Sequence, residues 1–449
     1  MARPSLLDIK RFFRAASQGR HSESRASGKL AGRVIGLGHA LLSERGEVSG
    51  ARLAKDAVAA YRALDPDGLR VFFDLLVEQF SPDPEEVERC ASAYRDEPSQ
   101  ANLIALQHAV EPPRQELFRR LNMAPGGTGV LVDMRGWLLN EIGANPQWTG
   151  IEADLAHLLA SWFNRGFLVL QRIDWRTPAL VLEKLIHYEA VHQIQGWDDL
   201  HRRLDTDRRC YAFFHPALPD EPLIFIEVAF TRGMSASVQS LLETDSPLVE
   251  AESANCAIFY SITSCQAGLR GVSFGNLLIK QVAEDLGREF PNLKTFATLS
   301  PIPGFRNWLT ETAPEHPALL PILERFDGPD WHTTGAATSD LQPELTRLCA
   351  YYLLYAKNGH HEPLDTVERF HLGNGARLER INWLGDTSPA GLLRSAGMMV
   401  NYVYHLGDVE RNHEAYAREH RVVAARRIEA AARESLLGPR SERQPATDR

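Results

Sequence analysis

The hydrophobic and polar positions in the amino-terminal part of the chain follow the period of an α-helix. Two apolar stripes carry this signal, one made of Leu69, Phe72, Phe73, Leu76 and Phe80 and one of Leu155, Leu158, Leu159 and Trp162. Residues three and four positions apart lie on one face of a helix, so each stripe predicts a helix that faces a core. We therefore predict an all-helical domain over residues 1–165.

Two short polar segments fit this helical domain. The run SPDPEE at residues 81–86 is typical of a helix end followed by a capped helix start. The run PGGTG at residues 125–129 resembles a phosphate loop in composition, but it lies between two helical patterns and has no preceding strand. We interpret it as a connector between helices.

The pattern changes near residue 166 to short runs of β-forming residues. These runs are Phe167–Arg172, Cys210–Phe214, Leu223–Phe230, Ala257–Ile262 and Lys294–Leu299. Each is bounded by turn-forming residues and predicts a strand. We predict a mixed α/β domain over residues 166–440, which makes the fold class α followed by α/β. The polar segment 441–449 lacks apolar anchors, and we expect it to be a disordered tail.

A glycine-rich turn lies between the predicted strand Ala257–Ile262 and a helix. The helix has an apolar face of Phe274, Leu278, Val282 and Leu286. The first amides of a helix have no internal partners and its dipole adds positive charge, so such a turn can hold phosphate oxygens. The candidate phosphate-binding residues are Gln266, Ala267, Gly268, Leu269, Arg270, Gly271, Gly275 and Asn276.

The glycines of this turn also have a purely steric explanation, because tight strand-to-helix turns need glycine whether or not a ligand binds. The turn lacks the Gly-Lys-Ser/Thr of a nucleotide triphosphate loop and the Gly-x-Gly-x-x-Gly of a dinucleotide site. Its Gln-x-Gly-x-x-Gly instead resembles the pyrophosphate loop of the GNAT acyltransferase fold, whose members bind coenzyme A. We therefore predict a coenzyme A ester as the ligand.

Longer blocks of sequence around this turn resemble the malonyl-CoA decarboxylase family. For the catalytic domain they are AIFYSITSCQAGLRGVSFGNLLIKQV, FPNLKTFATLSPIPGFRNWL, HPALPDEPLIFIEVAFT, FHLGNGARLERINWLGD and GMMVNYVYHL. For the helical domain the block is EPPRQELFRRLNMAPGGTGVLVDMR. The resemblance covers residues from about 50 to 410 and implies a GNAT-like catalytic domain.

The resemblance implies a carboxy-lyase of fatty acid metabolism that converts malonyl-CoA to acetyl-CoA and carbon dioxide. It also implies that the helical domain assembles a homo-oligomer, with a homotetramer favoured over a homodimer. The reaction passes through an enolate that the site must stabilise and then protonate at carbon. We expect no cofactor, because the thioester carbonyl of the substrate itself accepts the electrons.

Two catalytic candidates follow from the matching motifs. The resemblance implies a catalytic serine at Ser261, which we expect to bond to the malonyl carboxylate or the thioester oxygen. A nucleophilic role is not expected, since Ser261 has no Gly-x-Ser-x-Gly elbow around it. His371, in the FHLGNGA motif, is the predicted proton donor, because histidine changes charge near neutral pH.

Two further candidates each keep an alternative. Tyr404 matches a family tyrosine near the acyl group and would polarise Ser261 or His371, although it also fits a core aromatic residue. Glu227 interrupts an apolar run, and a buried acid needs a partner. That partner is predicted to be His371 or Tyr404, with a structural ion pair as the alternative.

Composition limits the other functions. The net charge of −9 disfavours nucleic acid as a partner, because clustered cationic residues bind phosphate backbones. The five cysteines have no CxxC spacing, and His187 and His192 have no HExxH frame, so we predict neither a disulfide framework nor a metal site.

The chain also carries no signal for a membrane. It has no apolar run near the roughly 20 residues that span a bilayer. Its basic start faintly resembles a transit peptide, but we interpret it as a solvated helix face. Because the chain also ends without a Ser-Lys-Leu signal, we expect a cytoplasmic enzyme.

Two alternative functions share the predicted coenzyme A loop. An acyl-CoA-dependent N-acyltransferase would need an acceptor cleft and a base for an amine. A catalytically silent coenzyme A sensor would report ligand binding through the helical domain, but the intact Ser261 and His371 motifs argue against it.

Overall fold

A computed structural model describes residues 26–43, 46–272, 278–325, 331–333 and 335–438. It contains two compact units. The first holds the described residues of 1–169, 215–221 and 266–274, and the second holds those of 170–214, 222–265 and 275–449. The predicted disordered tail and the basic start lie outside the described residues.

The first unit is helical in its described part, as predicted. Its helices are α1 (residues 26–43), α2 (Glu47–Arg62), α3 (Pro66–Gln79), α4 (Pro84–Asp96), α5 (Gln100–Val110), α6 (Pro113–Asn122), α7 (Gly127–Glu141) and α8 (Thr149–Trp162). Short 3-10 turns lie at Pro146–Trp148, Arg165–Phe167 and Ala267–Leu269.

Helix α3 shows why the first apolar stripe folds as a helix. Asp65 caps its start by accepting a hydrogen bond of 2.7 Å from the Gly68 amide, and Pro66 occupies the first turn, where its missing N–H costs nothing. Phe72 and Phe73 are buried on the inner face. The Phe73 ring stacks on Trp137 of α7 at 5.2 Å between centroids, which joins α3 to the core of the unit.

The connector between α6 and α7 is confirmed as a turn between helices. Gly126 precedes α7 with a φ of 72°, in the left-handed region that favours glycine. A Cβ on Gly127 would overlap the backbone oxygen of Leu121, so close packing requires glycine there as well.

The second unit combines a mixed sheet with further helices. The strands are β1 (Val169–Ile173), β2 (Arg208–Phe214), β3 (Ile224–Thr231), β4 (Cys256–Ser264), β5 (Thr295–Thr298), β6 (Ser300–Pro301), β7 (Arg377–Asn382) and β8 (Met399–Val403). The earlier helices are α9 (Ala179–Tyr188), α10 (Trp197–Arg203), α11 (Gln239–Leu242), α12 (Leu278–Glu289), α13 (Phe305–Thr312) and α14 (Leu320–Glu324). The later ones are α15 (Gly335–Tyr355), α16 (Thr366–Gly373), α17 (Pro389–Ser395), α18 (Val409–Glu419) and α19 (Arg426–Arg433). Within the described ranges, no helix has the length and apolar character needed to cross a bilayer.

The sheet has the order β1-β2-β3-β4-β5-β8-β6, and β7 also pairs with β8. Strands β2, β3 and β4 pair in antiparallel fashion, while β4 and β5 are parallel and are joined through α12. The predicted fold class, a helical domain followed by a mixed sheet, is therefore confirmed. The predicted strand-helix-strand unit is present as β4-α12-β5.

Strand β4 loses its parallel partner partway along its length. Its pairing with β5 ends where Phe259 faces Thr298, and one more backbone bond of 3.0 Å joins the Leu299 amide to the Phe259 oxygen. The chain then enters β6, which pairs with β8 instead of β4. The far half of β4 and the start of β6 therefore diverge, and this divergence leaves space between them.

Candidate active site

A cavity of about 210 Å³ lies at this divergence of β4 and β6. Most of its wall is apolar and comes from Val191, Ile224, Phe259, Ile262, Leu299 and Phe370. The residues with polar side chains that also line it are Tyr260, Ser264, Ser300, Thr366 and His371. An apolar cavity with a few convergent polar groups is the usual form of a small-molecule site.

Helix α16 places His371 in the cavity wall. Asp365 caps the start of this helix by accepting bonds of 2.9 Å from the amides of Val367 and Glu368. Val367 and His371 lie four positions apart, so one face of the helix carries both to the cavity. His371 is 2% exposed, and the imidazole therefore has little contact with bulk water.

Both ring nitrogens of His371 have hydroxyl partners. Its Nε2 lies 2.9 Å from the Ser300 Oγ, and its Nδ1 lies 2.8 Å from the Tyr404 hydroxyl. The Ser300 hydroxyl donates in turn to the Thr298 Oγ1 over 2.8 Å. The ring also stacks on Tyr402 at 4.6 Å between centroids, which fixes its plane.

This network assigns the proton on the imidazole. The Tyr404 hydroxyl is buried, and donating to Nδ1 gives its proton a partner. The remaining proton then sits on Nε2 and points to Ser300, whose own proton goes to Thr298. Burial lowers the pKa of His371 to about 3, so the free site holds a neutral imidazole at neutral pH. Burial also raises the pKa of Tyr404 well above its ordinary value.

Of the predicted catalytic residues, the structure therefore brings His371 and Tyr404 together. Ser261 lies elsewhere: it is 1% exposed, and its hydroxyl donates to the Glu189 Oε2 over 2.7 Å. Its neighbours on β4, Tyr260 and Ile262, line the cavity instead. Since successive side chains of a strand point to opposite faces, Ser261 points away from the side of β4 that carries Tyr260 and Ile262.

Glu227 lies opposite Ser261 in the antiparallel register of β3 and β4. Its carboxylate accepts a bond of 2.8 Å from the Arg203 Nη1, and both side chains are buried. Burial raises the pKa of Glu227 to about 7, against the opposing effect of Arg203. Glu227 thus has an ion-pair partner, the alternative that the sequence left open, and neither His371 nor Tyr404 is in contact with it through a hydrogen bond.

The predicted coenzyme A loop belongs to the first unit in its described part. Gly268 is buried against α7, where a Cβ would overlap the Val132 oxygen. Arg135 of α7 donates 2.7 Å and 2.8 Å bonds to the carbonyl oxygens of Gly268 and Arg270. Helix packing therefore explains the glycine at position 268, and Arg135 is a residue that the sequence pattern did not indicate.

The other loop candidates differ in accessibility. Ala267, Arg270 and Gly271 are exposed, Leu269 is buried, and Gln266 is half-buried beside Glu221. Gly271 has a φ of 77°, which favours glycine without any ligand. Gly275 and Asn276 lie outside the described residues.

Sequence reasoning missed Ser300 as a functional candidate. The sequence pattern indicated Ser300 only as part of the turn LSPIPG, which follows the second strand of the strand-helix-strand unit. The available signal was the alternation of hydroxyl residues, with Thr298 ending β5 and Ser300 opening β6. That spacing places both on one face at the edge where strands diverge. Glu189 and Arg203 gave no comparable signal.

The described part of the chain contains no group of three or more His, Cys, Asp or Glu side chains placed to hold a metal ion. His187 and His192, considered above, do not form such a group. All five cysteines are buried, and the structure joins no two of them by a disulfide.

Comparison with protein families gives two matches. A model of the malonyl-CoA decarboxylase N-terminal domain matches residues 80–163. A model of the malonyl-CoA decarboxylase C-terminal domain matches residues 166–442.

Curated relatives agree with these matches. The chain is 36% identical over 416 residues to the mitochondrial malonyl-CoA decarboxylase of Anser anser anser, covering 84% of this chain and 82% of the goose protein. It is 36% identical over 354 residues to the mitochondrial enzyme of Mus musculus, covering 72% of each chain.

Solved structures are similar as well. Malonyl-CoA decarboxylase from Rhodopseudomonas palustris has a TM-score of 0.86 and 50% identity, covering 89% of this chain and 99% of that one. The enzyme from Agrobacterium vitis has a TM-score of 0.84 and 45% identity, with the same coverage of 89% and 99%.

Proposed function

The chain belongs to the malonyl-CoA decarboxylase family, and we propose that the cavity at His371 is where malonyl-CoA loses carbon dioxide to give acetyl-CoA. The single observation that supports this placement is the His371 imidazole, held between the Ser300 and Tyr404 hydroxyls in the wall of an apolar cavity.

The carbon–carbon bond to the carboxylate breaks first. Its electron pair moves onto the thioester carbonyl, carbon dioxide leaves, and an enolate remains. Negative charge grows on the thioester oxygen during this step, and fixed donors aimed at that position lower the barrier. The Ser300 hydroxyl, which donates to Thr298 in the free site, can turn to this oxygen as a donor, and the His371 Nε2–H lies beside it.

The apolar wall also favours this step. Val191, Ile224 and Phe370 give a malonyl carboxylate no hydrogen bonds, and an ionised carboxylate loses much of its solvation in such surroundings. Carbon dioxide is neutral, so apolar surroundings do not cost it a comparable solvation energy. The cavity therefore raises the free energy of the charged reactant relative to that of the neutral product.

The enolate then takes one proton at carbon, so each turnover consumes one proton. In the free site His371 is neutral. A substrate carboxylate beside it raises the imidazole pKa, because a nearby opposite charge stabilises the protonated form. We propose that Nδ1 of His371 takes up this proton when substrate binds, with the Tyr404 hydroxyl turning to accept from it, and that Nε2 then gives its own proton to the methylene carbon, which leaves a neutral ring.

Several finer statements stay predictions. We expect residues 266–276 to bind the phosphates of coenzyme A, no cofactor to be needed, and a homotetramer, or else a homodimer, to form. A cytoplasmic location stays a prediction too, and the curated goose and mouse relatives are named as mitochondrial. An N-acyltransferase and a silent coenzyme A sensor are not favoured by the family match.

The roles of Ser300 and Ser261 can be separated by matched variants. We expect Ser300→Ala to lower kcat for acetyl-CoA formation roughly 100- to 1,000-fold, the usual effect of removing one donor to a developing oxyanion. Ser261→Ala removes the same atoms from a residue outside the cavity wall and should lower kcat less than about tenfold, far short of the loss of an oxyanion donor. The reverse order, with Ser261→Ala inactive and Ser300→Ala active, would contradict the assignment. Circular dichroism of both variants controls for folding.

A further inference from the structure

We propose that Glu189 is a positioning residue that holds the turn of residues 189–192 against β4, so that Val191 forms a fixed wall of the cavity and limits substituents on the methylene carbon of the substrate. This inference rests on the proposed function and assigns part of its substrate specificity. It also gives Ser261 and Glu227 a shared role.

The Glu189 carboxylate makes bonds in two directions. One oxygen accepts from the amides of Val191 at 2.7 Å and His192 at 2.8 Å, within its own turn. The other accepts from the Ser261 hydroxyl of β4 at 2.7 Å, and the Thr263 hydroxyl adds longer contacts of 3.4 Å. Glu189 is 5% exposed. It therefore ties the turn directly to the strand.

A second buried side chain holds the same turn from the other side. Arg203 donates a bond of 2.8 Å to the His192 carbonyl oxygen. Arg203 is itself fixed by Glu227 at 2.8 Å and by Asp199 at 2.9 Å. Ser261 and Glu227 face each other across β4 and β3. Ser261 acts on the turn through Glu189, and Glu227 acts on it through Arg203. Substitution of Ser261 or Glu227 can therefore alter the site without either side chain contacting the substrate.

These bonds make the turn resistant to displacement. Glu189 brings a carboxylate into a buried position, and such a group is tolerated only while donors surround it. A movement of Val191 away from the cavity would pull its amide from the carboxylate and leave that oxygen less satisfied. The backbone at Val191 therefore yields less than an ordinary loop would.

The position of Val191 links this rigidity to specificity. Its side chain lines the same cavity of about 210 Å³ as His371 and Ser300. A methyl group on the methylene carbon needs additional space next to the groups that act on that carbon. A wall that cannot move leaves this space unavailable, so malonyl-CoA is accepted over methylmalonyl-CoA.

Steady-state rates with malonyl-CoA and methylmalonyl-CoA test the proposal in Val191→Ala, Ser261→Ala and the double variant. We expect Val191→Ala to raise the ratio of kcat/KM for methylmalonyl-CoA to that for malonyl-CoA about tenfold, the scale of one methylene in an apolar pocket. Ser261→Ala should raise the same ratio about threefold, because it loosens the turn. The double variant should not exceed Val191→Ala, since both changes act through one wall.

Phe370→Leu is the matched control, because it changes the cavity wall on α16 and not on the turn of residues 189–192. In this background, Ser261→Ala should still raise the kcat/KM ratio of methylmalonyl-CoA to malonyl-CoA about threefold. An unchanged ratio in Val191→Ala would overturn the role of this wall. A loss of kcat in Ser261→Ala above 100-fold, with the ratio unchanged, would instead put Ser261 on the substrate and overturn its positioning role. If the wild-type protein did not decarboxylate malonyl-CoA, the proposed function would fail. The inference about Val191 would then be tested by calorimetry, as the ratio of the affinities for methylmalonyl-CoA and malonyl-CoA. An increase of this ratio in Val191→Ala over the wild type would support the inference, and an unchanged ratio would overturn it.

Discussion

The surroundings of His371 determine the protonation state of its imidazole ring. A solvated imidazole titrates near pH 6.5, where it is partly charged in neutral solution. In this fold the ring is buried between two hydroxyls and against Tyr402, and its pKa falls to about 3. A residue that the sequence indicates as a proton donor is therefore neutral until something in the cavity supplies an opposite charge.

The low pKa of His371 makes the stability of the protein depend on pH. Between pH 6.5 and the folded pKa of about 3, the unfolded chain binds a proton at this residue that the folded chain does not. The free energy of unfolding therefore decreases as the pH falls through that range. At pH 5 this contribution amounts to about 2 kcal/mol, from 1.36 kcal/mol per pKa unit.

The matched comparison uses His371→Gln, which cannot take up this proton. Urea denaturation of both proteins at pH 7.5 and pH 5 should show the wild type losing about 2 kcal/mol more than the variant on acidification. Equal losses in the two proteins would show that His371 is protonated in the folded state and contradict the neutral assignment.

The two serines show the limit of sequence reasoning at this scale. Family motifs indicated Ser261, and the sequence also predicted the strand that carries it. Which face of β4 points to the cavity depends on the neighbouring strands, and the register of β3 and β4 shifts next to Glu227. Such a shift exchanges faces along a strand. That Ser300 and not Ser261 lines the cavity therefore could not be predicted before the strands were placed.

At the scale of elements, buried charges join α10 to the sheet. Arg203 at the end of α10 is 3% exposed and pairs with Glu227 of β3, which is 2% exposed. Removing one partner of such a pair strands the other charge in a region of low polarity. Both groups lose their hydration on folding, and this cost offsets much of their mutual attraction. The main effect of the pair is therefore to fix the position of α10 against the sheet.

We predict that Arg203→Met lowers the free energy of unfolding by about 3–5 kcal/mol at pH 8, because Glu227 without Arg203 must either stay charged and unpaired or take up a proton that the unfolded chain does not hold at this pH. The loss should be smaller at pH 5.5, because Glu227, whose pKa is already raised to about 7, then takes up a proton and becomes neutral. Chemical denaturation at the two pH values measures this difference.

Arg89→Met is the control for this prediction, since Arg89 pairs with Glu86 on an exposed face of α4. Arg89→Met should leave the free energy of unfolding nearly unchanged at either pH, because water screens an exposed ion pair. A similar cost for both variants would mean that the Arg203–Glu227 pair is not insulated from water.

Long helices were the elements that the sequence predicted best. The stripe that forms α3 repeats over several turns and buries Phe72 and Phe73 as expected. Short elements gave weaker patterns: α10 spans only Trp197–Arg203, too few residues to establish a helical period. The edge strand β6 covers Ser300 and Pro301, and a strand of that length has no alternation to detect.

At the scale of the whole molecule, the chain does not divide at one point of the sequence. The sequence predicts a boundary at residues 165/166, whereas the first unit also includes residues 215–221 and the described part of 266–274. Gly268 shows why: its backbone packs on α7, a contact between residues far apart in the chain. Composition and periodicity are local properties, so they cannot reveal a segment that joins a distant unit.

The family match and the proposed cavity chemistry together predict the overall reaction. Malonyl-CoA and one proton should give carbon dioxide and acetyl-CoA with no other reactant. An N-acyltransferase would instead leave the carboxylate in place and transfer the acyl group to an amine, and a sensor would change nothing in the thioester.

The most direct measurement is to incubate the purified protein with malonyl-CoA alone in deuterated water and follow both products by mass spectrometry. We predict equal amounts of carbon dioxide and acetyl-CoA. We also expect enzyme-dependent protonation to add one solvent deuterium to each acetyl methyl group beyond any exchange into malonyl-CoA alone, and His371→Gln to slow this reaction at least about 100-fold. Unchanged malonyl-CoA in the presence of folded protein that binds it would overturn the proposed reaction, and full activity in His371→Gln would overturn the role of His371 as proton donor.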